Sequence, residues 1–234
     1  MKSFKAACSC VAAIVFLSLL PCGALADPMM QIATVETTDA SGYAQFVKEL
    51  TALQVEAGAK LTTAVWVPIA AGKAINEVYY VAEYANAKDW LESAAIMAEN
   101  AKIDALRKNM DAKRTITEGV VYAQIRDQGD LPDAKVMNTD VRPTDAAAYA
   151  KALDILDALM DKNGFEDIKL NVWAVSAGGE LAGTQLVSLA APSSERLGAF
   201  MDASGQPWLQ KWLADAGPLR TLLTNGVYEP VSAD

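Results

Sequence analysis

The heptapeptide TDASGYA at residues 38–44 returns as TDAAAYA at residues 144–150, 106 positions later. Further matches follow in the same order along the chain, at this spacing or one residue more: Gly58 with Gly164, Trp66 with Trp173, Leu91 with Leu197, Arg114 with Arg220, and Tyr122 with Tyr228. Similarity at one nearly fixed period is the signature of internal duplication. The sequence therefore predicts two copies of one structural unit.

Each copy has the pattern strand, helix, two strands, helix, strand. In the first copy, apolar residues recur at helical spacing before Gly58, which suits the left-handed end of a helix. Runs rich in Val, Tyr and Trp are typical of strands. The predicted first-copy elements are strand 31–36, helix 41–57, strands 61–69 and 75–84 with a turn at 70–73, helix 86–112 and strand 115–125. Those of the second copy are strand 136–141, helix 145–162, strands 168–176 and 181–190, a helical region 193–216 broken at 204–207, and strand 221–230.

This order predicts two ferredoxin-like βαββαβ units, each an antiparallel sheet with both helices on one face. The strands are apolar on both faces, whereas a sheet with one wet face should alternate apolar with polar residues. Pressing the two free faces together would bury them. We therefore expect an α+β protein whose units span 27–126 and 136–234, joined by a linker at 127–135, with their sheets packed together as an intramolecular α/β barrel.

The first 26 residues resemble a secretory signal. Lys2 and Lys5 precede an apolar run at 11–20 that is too short to cross a bilayer permanently, and residues 24–26 offer a small-residue cleavage site. Cleavage before Asp27 predicts an exported protein, periplasmic or extracellular. The alternative is lipid attachment at Cys22, which Pro21 disfavours because lipoprotein signals want a small residue there.

Composition excludes several classes of function. All three cysteines lie in the leader and the chain has no histidine, which excludes Ser-His-Asp and Cys-His catalysis, imidazole-dependent oxygenases and the usual proximal haem ligand. Removing Lys2 and Lys5 leaves 18 basic against 29 acidic side chains, a net charge of −11, so nucleic acid is not an expected partner. We expect no membrane association after signal removal. No motif for a cofactor or a metal is present.

The run YYVAEY at 79–84, followed by Lys88-Asp89-Trp90, resembles antibiotic-biosynthesis-monooxygenase-type domains of the dimeric α/β-barrel superfamily. The likeness in topology covers almost all of residues 30 to 230, whereas the motif occurs mainly in the first copy. The second copy, at 185–190, lacks the Glu, and the histidine that often follows in such domains is absent. The resemblance implies a fused single-chain barrel, a pseudo-dimer, and faintly implies oxygenase chemistry.

A ligand would fit inside such a barrel. Trp66 and Trp173 should face the opposite half or the cavity, where they either stack on a planar molecule or simply fill the core. Glu83 is the candidate catalytic base if buried, or else pairs with a nearby Lys or Arg. The full set of candidate ligand-binding residues is Trp66, Tyr79, Glu83, Asn171, Trp173, Gln185 and Tyr228. Arg114 and Arg220 could hold an anion, but their recurrence favours structural pairing with a helix end or an acidic side chain.

Three functions are compatible with this sequence. The first is an exported protein that binds a small apolar or aromatic molecule, or a protein partner, without a cofactor. The alternative is a cofactor-independent monooxygenase or isomerase acting on an aromatic or polyketide-like substrate, since such a substrate can itself supply the electrons. The third is a purely structural envelope or stress protein. The sequence leaves open whether the protein is an enzyme.

Overall fold

The computed structural model describes residues 27–70, 77–111, 113–129, 131 and 133–231. The predicted leader lies outside the described residues, and so does most of the predicted hairpin turn at 70–73.

In the part of the chain that the structure describes, eight strands and six α-helices follow the predicted order, with one predicted helix divided in two. The strands are β1 Met29–Glu36, β2 Thr62–Ala70, β3 Glu77–Tyr84, β4 Thr115–Arg126, β5 Lys135–Pro143, β6 Lys169–Ala177, β7 Gln185–Ala191 and β8 Arg220–Pro230. The helices are α1 Ala40–Glu56, α2 Ala87–Glu99, α3 Ala101–Asp111, α4 Ala146–Lys162, α5 Ser194–Asp202 and α6 Pro207–Ala216.

The eight strands form one closed antiparallel barrel in the order β1-β3-β2-β8-β5-β7-β6-β4. Each half contributes a four-stranded sheet with the ferredoxin-like order 4-1-3-2, which confirms the predicted fold. The two sheets also join edge to edge, through hydrogen-bonded pairing of β2 with β8 and of β4 with β6. This closure leaves the lumen between the two free faces and pairs the strand edges that would otherwise invite aggregation.

Because neighbouring strands are all antiparallel, β1 and β5 run in the same direction along the barrel. The relation between the two halves is therefore a rotation about the barrel axis. Equivalent residues of the two copies lie at the same end of the lumen. We call the end where β1 and β5 finish the upper end.

The first helix of each half begins at an N-cap aspartate and is followed by a glycine. The side chains of Asp39 and Asp145 accept hydrogen bonds from the backbone nitrogens of Gly42 (2.8 Å) and Ala148 (2.9 Å), as N-cap residues do. Gly58 and Gly164 follow the two helices with φ of +99° and +80°, a conformation that a glycine adopts without steric penalty. The repeated sequence signals therefore mark repeated structure.

The predicted helix 86–112 is interrupted at Asn100. This residue has an extended ψ of 111° and ends α2, and its side-chain oxygen then accepts hydrogen bonds from the backbone nitrogens of Lys102 and Ile103. Asn100 thus caps a new helix, α3, and helical spacing alone did not reveal the break. The break predicted near Pro207 is confirmed, with α6 beginning at that proline.

Three apolar clusters fix the layers. One lies between the helices and sheet of the second half and includes Met160 and Leu170, both 0% exposed. The corresponding first-half cluster includes Val35 and Ile103. A third lies inside the barrel around Met30 and Trp173. Among the described helices, none is long and apolar enough to cross a membrane.

Candidate functional site

Strand alternation divides each sheet into a helix-facing and a lumen-facing set of side chains. On β1, Ala33 and Val35 pack towards the helices, whereas Met30, Ile32 and Thr34 line a cavity of about 380 Å³ inside the barrel. The same alternation brings side chains of all eight strands to this cavity. Its volume lies in the range of small-molecule sites, about 300–1,000 Å³.

The two tryptophans reach across the barrel from opposite halves. Trp66 of the first half packs against Val136 and Ala190 of the second. Trp173 of the second half packs against Met30 and Tyr122 of the first. Both line the cavity. The prediction that each faces the other half or its cavity is thus confirmed, and the two indoles form aromatic walls of one lumen.

Tyr79 and Tyr228 also line the cavity and touch each other edge to face, with ring centroids 5.1 Å apart and an interplanar angle of 83°. The Tyr79 hydroxyl donates a 2.9 Å hydrogen bond to Glu77. Burial raises the pKa of both phenols above the ordinary value. They therefore stay protonated near neutral pH and can act as hydrogen-bond donors.

Glu83 lies where the cavity opens. It lines the cavity and also an adjoining open groove, and its carboxylate accepts a weak 3.5 Å hydrogen bond from the Thr62 hydroxyl. The groove and the cavity share Thr62, Glu83 and Trp173. We therefore describe the groove as the mouth of the cavity, with Glu83 on its rim.

Asn171 lines the cavity, but its amide is engaged elsewhere. Its side-chain oxygen accepts a 2.7 Å hydrogen bond from the backbone nitrogen of Gln128, and its side-chain nitrogen donates to the carbonyl of Gly129 at 3.2 Å. Gln128 in turn accepts a 2.6 Å hydrogen bond from the backbone nitrogen of Leu170. Asn171 thus secures the connection between the two halves, a role that its sequence position did not reveal.

Gln185 does not line the cavity. It begins β7 directly before Leu186, which does line it. Adjacent side chains of a strand point to opposite faces, so Gln185 belongs to the outer face. The structure therefore brings six of the seven candidate ligand-binding residues to the cavity and leaves Gln185 out.

The lumen-facing side of β5 carries polar residues that sequence reasoning overlooked. Asn138 and Asp140 both line the cavity. The Thr224 hydroxyl donates to Oδ2 of Asp140, whereas Oδ1 of Asp140 and Oδ1 of Asn138 are buried without a hydrogen-bond partner among the described residues. Burial raises the pKa of the Asp140 carboxyl, and the hydrogen bond from Thr224 only partly opposes this.

A usable signal for these two residues was present in the repeat. Asn138 and Asp140 occupy the positions of Ile32 and Thr34 in the first copy, 106 residues earlier. A carboxylate that replaces a neutral residue on an inward-facing strand position is unusual. The residues that the two copies share predict the fold. The position at which they differ, Thr34 against Asp140, indicates the carboxylate in the cavity.

The two other ionisable cavity residues missed from sequence are Glu118 and Tyr122 on β4. Both line the cavity. Burial raises the pKa of the Tyr122 phenol, and the nearby charges of Asp140 and Glu118 raise it further. Within the described part of the chain, no three potential metal ligands come close enough to hold an ion.

The repeated arginines lie outside the cavity and stack on aromatic rings. The guanidinium of Arg114 lies 4.7 Å from the ring centroid of Phe46, and that of Arg220 lies 4.9 Å from the ring of Trp212. Each also donates a hydrogen bond to the equivalent phenol, Tyr43 at 3.4 Å or Tyr149 at 3.5 Å. Both arginines therefore contact aromatic residues of the helix-facing clusters, Phe46 in the first half and Trp212 in the second.

Solved structures of similar shape span nearly the whole chain. A candidate monooxygenase from Fusobacterium nucleatum matches with a TM-score of 0.57 and 8% identity, over 88% of this chain and 94% of its own. A chlorite dismutase mutant from Candidatus Nitrospira defluvii gives 0.57 and 8%, over 88% and 92%. An anthrone oxidase-like protein gives 0.50 and 10%, over 87% and 92%.

Similarity at the level of sequence is absent. The chain matches no protein-family model, and no curated protein matches it significantly. At 8–10% identity the structural comparisons show the fold alone. The chain has the dimeric α/β-barrel fold, with both ferredoxin-like units in one polypeptide.

Proposed function

We propose that the barrel cavity is the active site of a cofactor-independent oxygenase or isomerase that acts on a planar aromatic or polyketide-like molecule. The observation that carries this proposal is Asp140, a cavity-lining carboxylate with a raised pKa, set among aromatic walls. Perturbed carboxyl groups in clefts are typical of acid–base catalysts.

Asp140 has the properties of a general base. A carboxylate removed from water holds a proton more tightly, which makes it a better proton acceptor. Thr224 fixes one oxygen by donating to it. The carboxylate is short of hydrogen bonds, since Oδ1 has no donor among the described residues. Asp140 can therefore gain by accepting a proton from a substrate.

The walls of the cavity suit a flat substrate. Trp66 and Trp173 offer two large aromatic faces, and aromatic rings favour stacked or edge-to-face contact with other rings. Tyr122 and Tyr228 present phenols that burial keeps protonated. Such donors can stabilise an oxyanion that develops on the substrate.

Proton removal would leave the electron pair of the C–H bond on the substrate. Return of the proton at another carbon completes an isomerisation. Transfer of the electrons to dioxygen instead converts a CH₂ group and O₂ into a C=O group and water. The names of the monooxygenase and the anthrone oxidase-like neighbour belong to those proteins, but they support this reaction class for the shared fold.

Asp140→Asn tests the base. We expect turnover of a susceptible anthrone or naphthol, followed by dioxygen uptake or by absorbance, to fall by about 100-fold or more. Quenching of tryptophan fluorescence should show that binding is retained. The control is Asp161→Asn on the outer face of α4, which should turn over like the unmodified protein. If no substrate is turned over and ligands still bind, the protein is a binding protein and not an enzyme.

We also propose that the protein acts outside the cytoplasm, because residues 1–26 have the pattern of a cleaved signal. Mass spectrometry of the protein isolated from its producing cells should find Asp27 at the amino terminus. A lipid-modified Cys22 or an uncleaved leader would contradict this proposal.

A further inference from the structure

The charged residues that line the cavity are all acidic. Three carboxylates line it, those of Glu83, Glu118 and Asp140, and no lysine or arginine among the described residues does so. Asp140 and Glu118 also form no ion pair within the described part of the chain. Glu118 is exposed to solvent, whereas Asp140 is half-buried. A carboxylate withdrawn from water, as Asp140 is, is normally paired with a cation, because leaving it uncompensated is costly.

The mouth of the cavity has the same character. The groove, with a volume of about 420 Å³, is lined by Asp89 and Asp127 in addition to Glu83. Lys60 is its one basic lining residue among those described, and its amine lies 3.9 Å from Asp89. A ligand passing from solvent into the lumen therefore meets a predominantly negative surface, which attracts cations and repels anions.

The aromatic residues favour the same sign of charge. Five rings line the cavity: Trp66, Tyr79, Tyr122, Trp173 and Tyr228. The face of an aromatic ring attracts a cation, most strongly where water is excluded. Tyr122, Asp140 and Glu118 line the same cavity, so the ring and the two carboxylates favour a positively charged ligand there.

We infer that the molecule held in the barrel is an organic cation, a flat aromatic body carrying a protonated amine, with the amine near Asp140, Glu118 and the ring of Tyr122. This inference rests on the cavity site proposed above and specifies its substrate class. The aromatic body would lie against Trp66 and Trp173. Anionic molecules would be excluded.

A cationic substrate would also serve the proposed chemistry. A positive charge near Asp140 favours the ionised form of that carboxylate, which is the form that accepts a proton. The same charge makes neighbouring C–H bonds of the substrate more acidic, because it stabilises the electron pair left behind. Binding of the correct ligand would thus prepare the base.

Three probes of similar shape test the inference: 9-aminoacridine, which is a cation, neutral acridine, and the anion acridine-9-carboxylate. Binding to the full protein is followed by quenching of tryptophan fluorescence at neutral pH and low salt. We expect the cation to bind at least tenfold more tightly than the neutral probe, and the anion to bind least. Glu118→Gln and Asp140→Asn should each reduce this preference several-fold, whereas Asp161→Asn on the outer surface should leave it unchanged.

The outcomes separate this inference from the enzymatic proposal. Equal affinity for cation and neutral probe, tighter binding of the anion, or no binding of any probe would overturn the inference. A preference for the cation that survives both Glu118→Gln and Asp140→Asn would also overturn it. Selective cation binding without turnover of any amine-bearing substrate would support it while removing the proposed catalytic role of Asp140.

Discussion

The two halves of the barrel are alike on the outside and different on the inside. The buried positions Tyr43, Phe46, Val47 and Leu50 of α1 recur as Tyr149, Ala152, Leu153 and Leu156 of α4, all 106 residues apart. Capping aspartates, terminal glycines and stacked arginines also recur. The helix-facing residues are therefore governed by packing that both halves share.

Apart from the matched pairs Trp66–Trp173 and Tyr122–Tyr228, the lumen-facing residues of the two halves have diverged. The cross-strand pair Thr34 and Tyr79 in the first half corresponds to Asp140 and Leu186 in the second. Glu118 likewise corresponds to Thr224, and Glu83 corresponds to Ala190. Because both copies line one lumen around a common axis, these differences give it polar groups that a symmetrical barrel would lack. The difference between the halves thus marks the candidate site.

Making the second half resemble the first at Asp140 should have the largest effect. Asp140→Thr introduces the residue found at the equivalent position 34, and we expect turnover to fall by about 100-fold or more. The variant should also unfold at a higher temperature near neutral pH, because a half-buried charge is removed.

The pH dependence of this gain has a defined sign. The pKa of Asp140 is raised in the folded protein, so the unmodified protein loses stability as pH rises from the ordinary carboxyl pKa through the raised one. The stability advantage of Asp140→Thr should therefore be small in acid, grow through that interval and then level off. Scanning calorimetry across pH checks this, with Asp161→Thr as control. An advantage that is greatest in acid would contradict the assignment.

A second substitution places a residue of one half at the equivalent position of the other, near the end of the first helix. Met160 is 0% exposed in the second-half core, and Gln54 holds the equivalent position in the first half. Met160→Gln should lower the free energy of unfolding by about 2–4 kcal/mol, because it buries an amide among apolar side chains. Chemical denaturation measures this. Ile155→Gln, at a position 57% exposed, should change it by less than about 0.5 kcal/mol.

The reverse exchange should be stabilising. Gln54 is 1% exposed, and its side-chain nitrogen donates to Ser93 Oγ at 3.1 Å while its oxygen has no partner among the described residues. Gln54→Met removes that unsatisfied oxygen from the first-half core. We expect a gain of about 0.5–2 kcal/mol in unfolding free energy by denaturant titration. A loss would show that the amide is needed in the first half.

The smallest losses of stability are expected at the two N-cap residues, and they should be nearly equal in the two halves. Asp39→Ala and Asp145→Ala each remove an N-cap of the same geometry, and each should cost about 1 kcal/mol. Denaturation of the two variants side by side checks the equivalence of the halves. Costs that differ by more than about 1 kcal/mol would show that the two caps are not equivalent.

The fold was predictable because the duplication repeats its strongest signals. These signals are the helical spacing of apolar residues, the helix-ending glycines Gly58 and Gly164, and the matched tryptophans. Each reflects a local conformational preference that can be recognised in the sequence. Closure of the barrel at its edges was less accessible, since backbone pairing between β2 and β8 leaves no side-chain pattern. Asn100 ends α2 through its extended backbone and caps the start of α3 through its side chain, although the apolar spacing around it is helical.

The candidate site was predictable at most of its aromatic residues and at Glu83, whereas Tyr122, Glu118 and Asp140 were missed. Trp66, Trp173, Tyr79 and Tyr228 follow from strand alternation and bulk. Gln185 was misplaced because a shift of one residue reverses the face of a strand. Asp140 was missed because a polar residue in a predicted strand does not by itself reveal its burial, and its difference from Thr34 in the other copy was not considered.

A crystal structure of the protein with 9-aminoacridine tests the central claim most directly. We expect the three fused rings inside a closed barrel against Trp66 and Trp173, with a ligand nitrogen within about 4 Å of the Asp140 or Glu118 carboxylate. A ligand bound only on the outer surface, or two halves that do not share a lumen, would contradict the account.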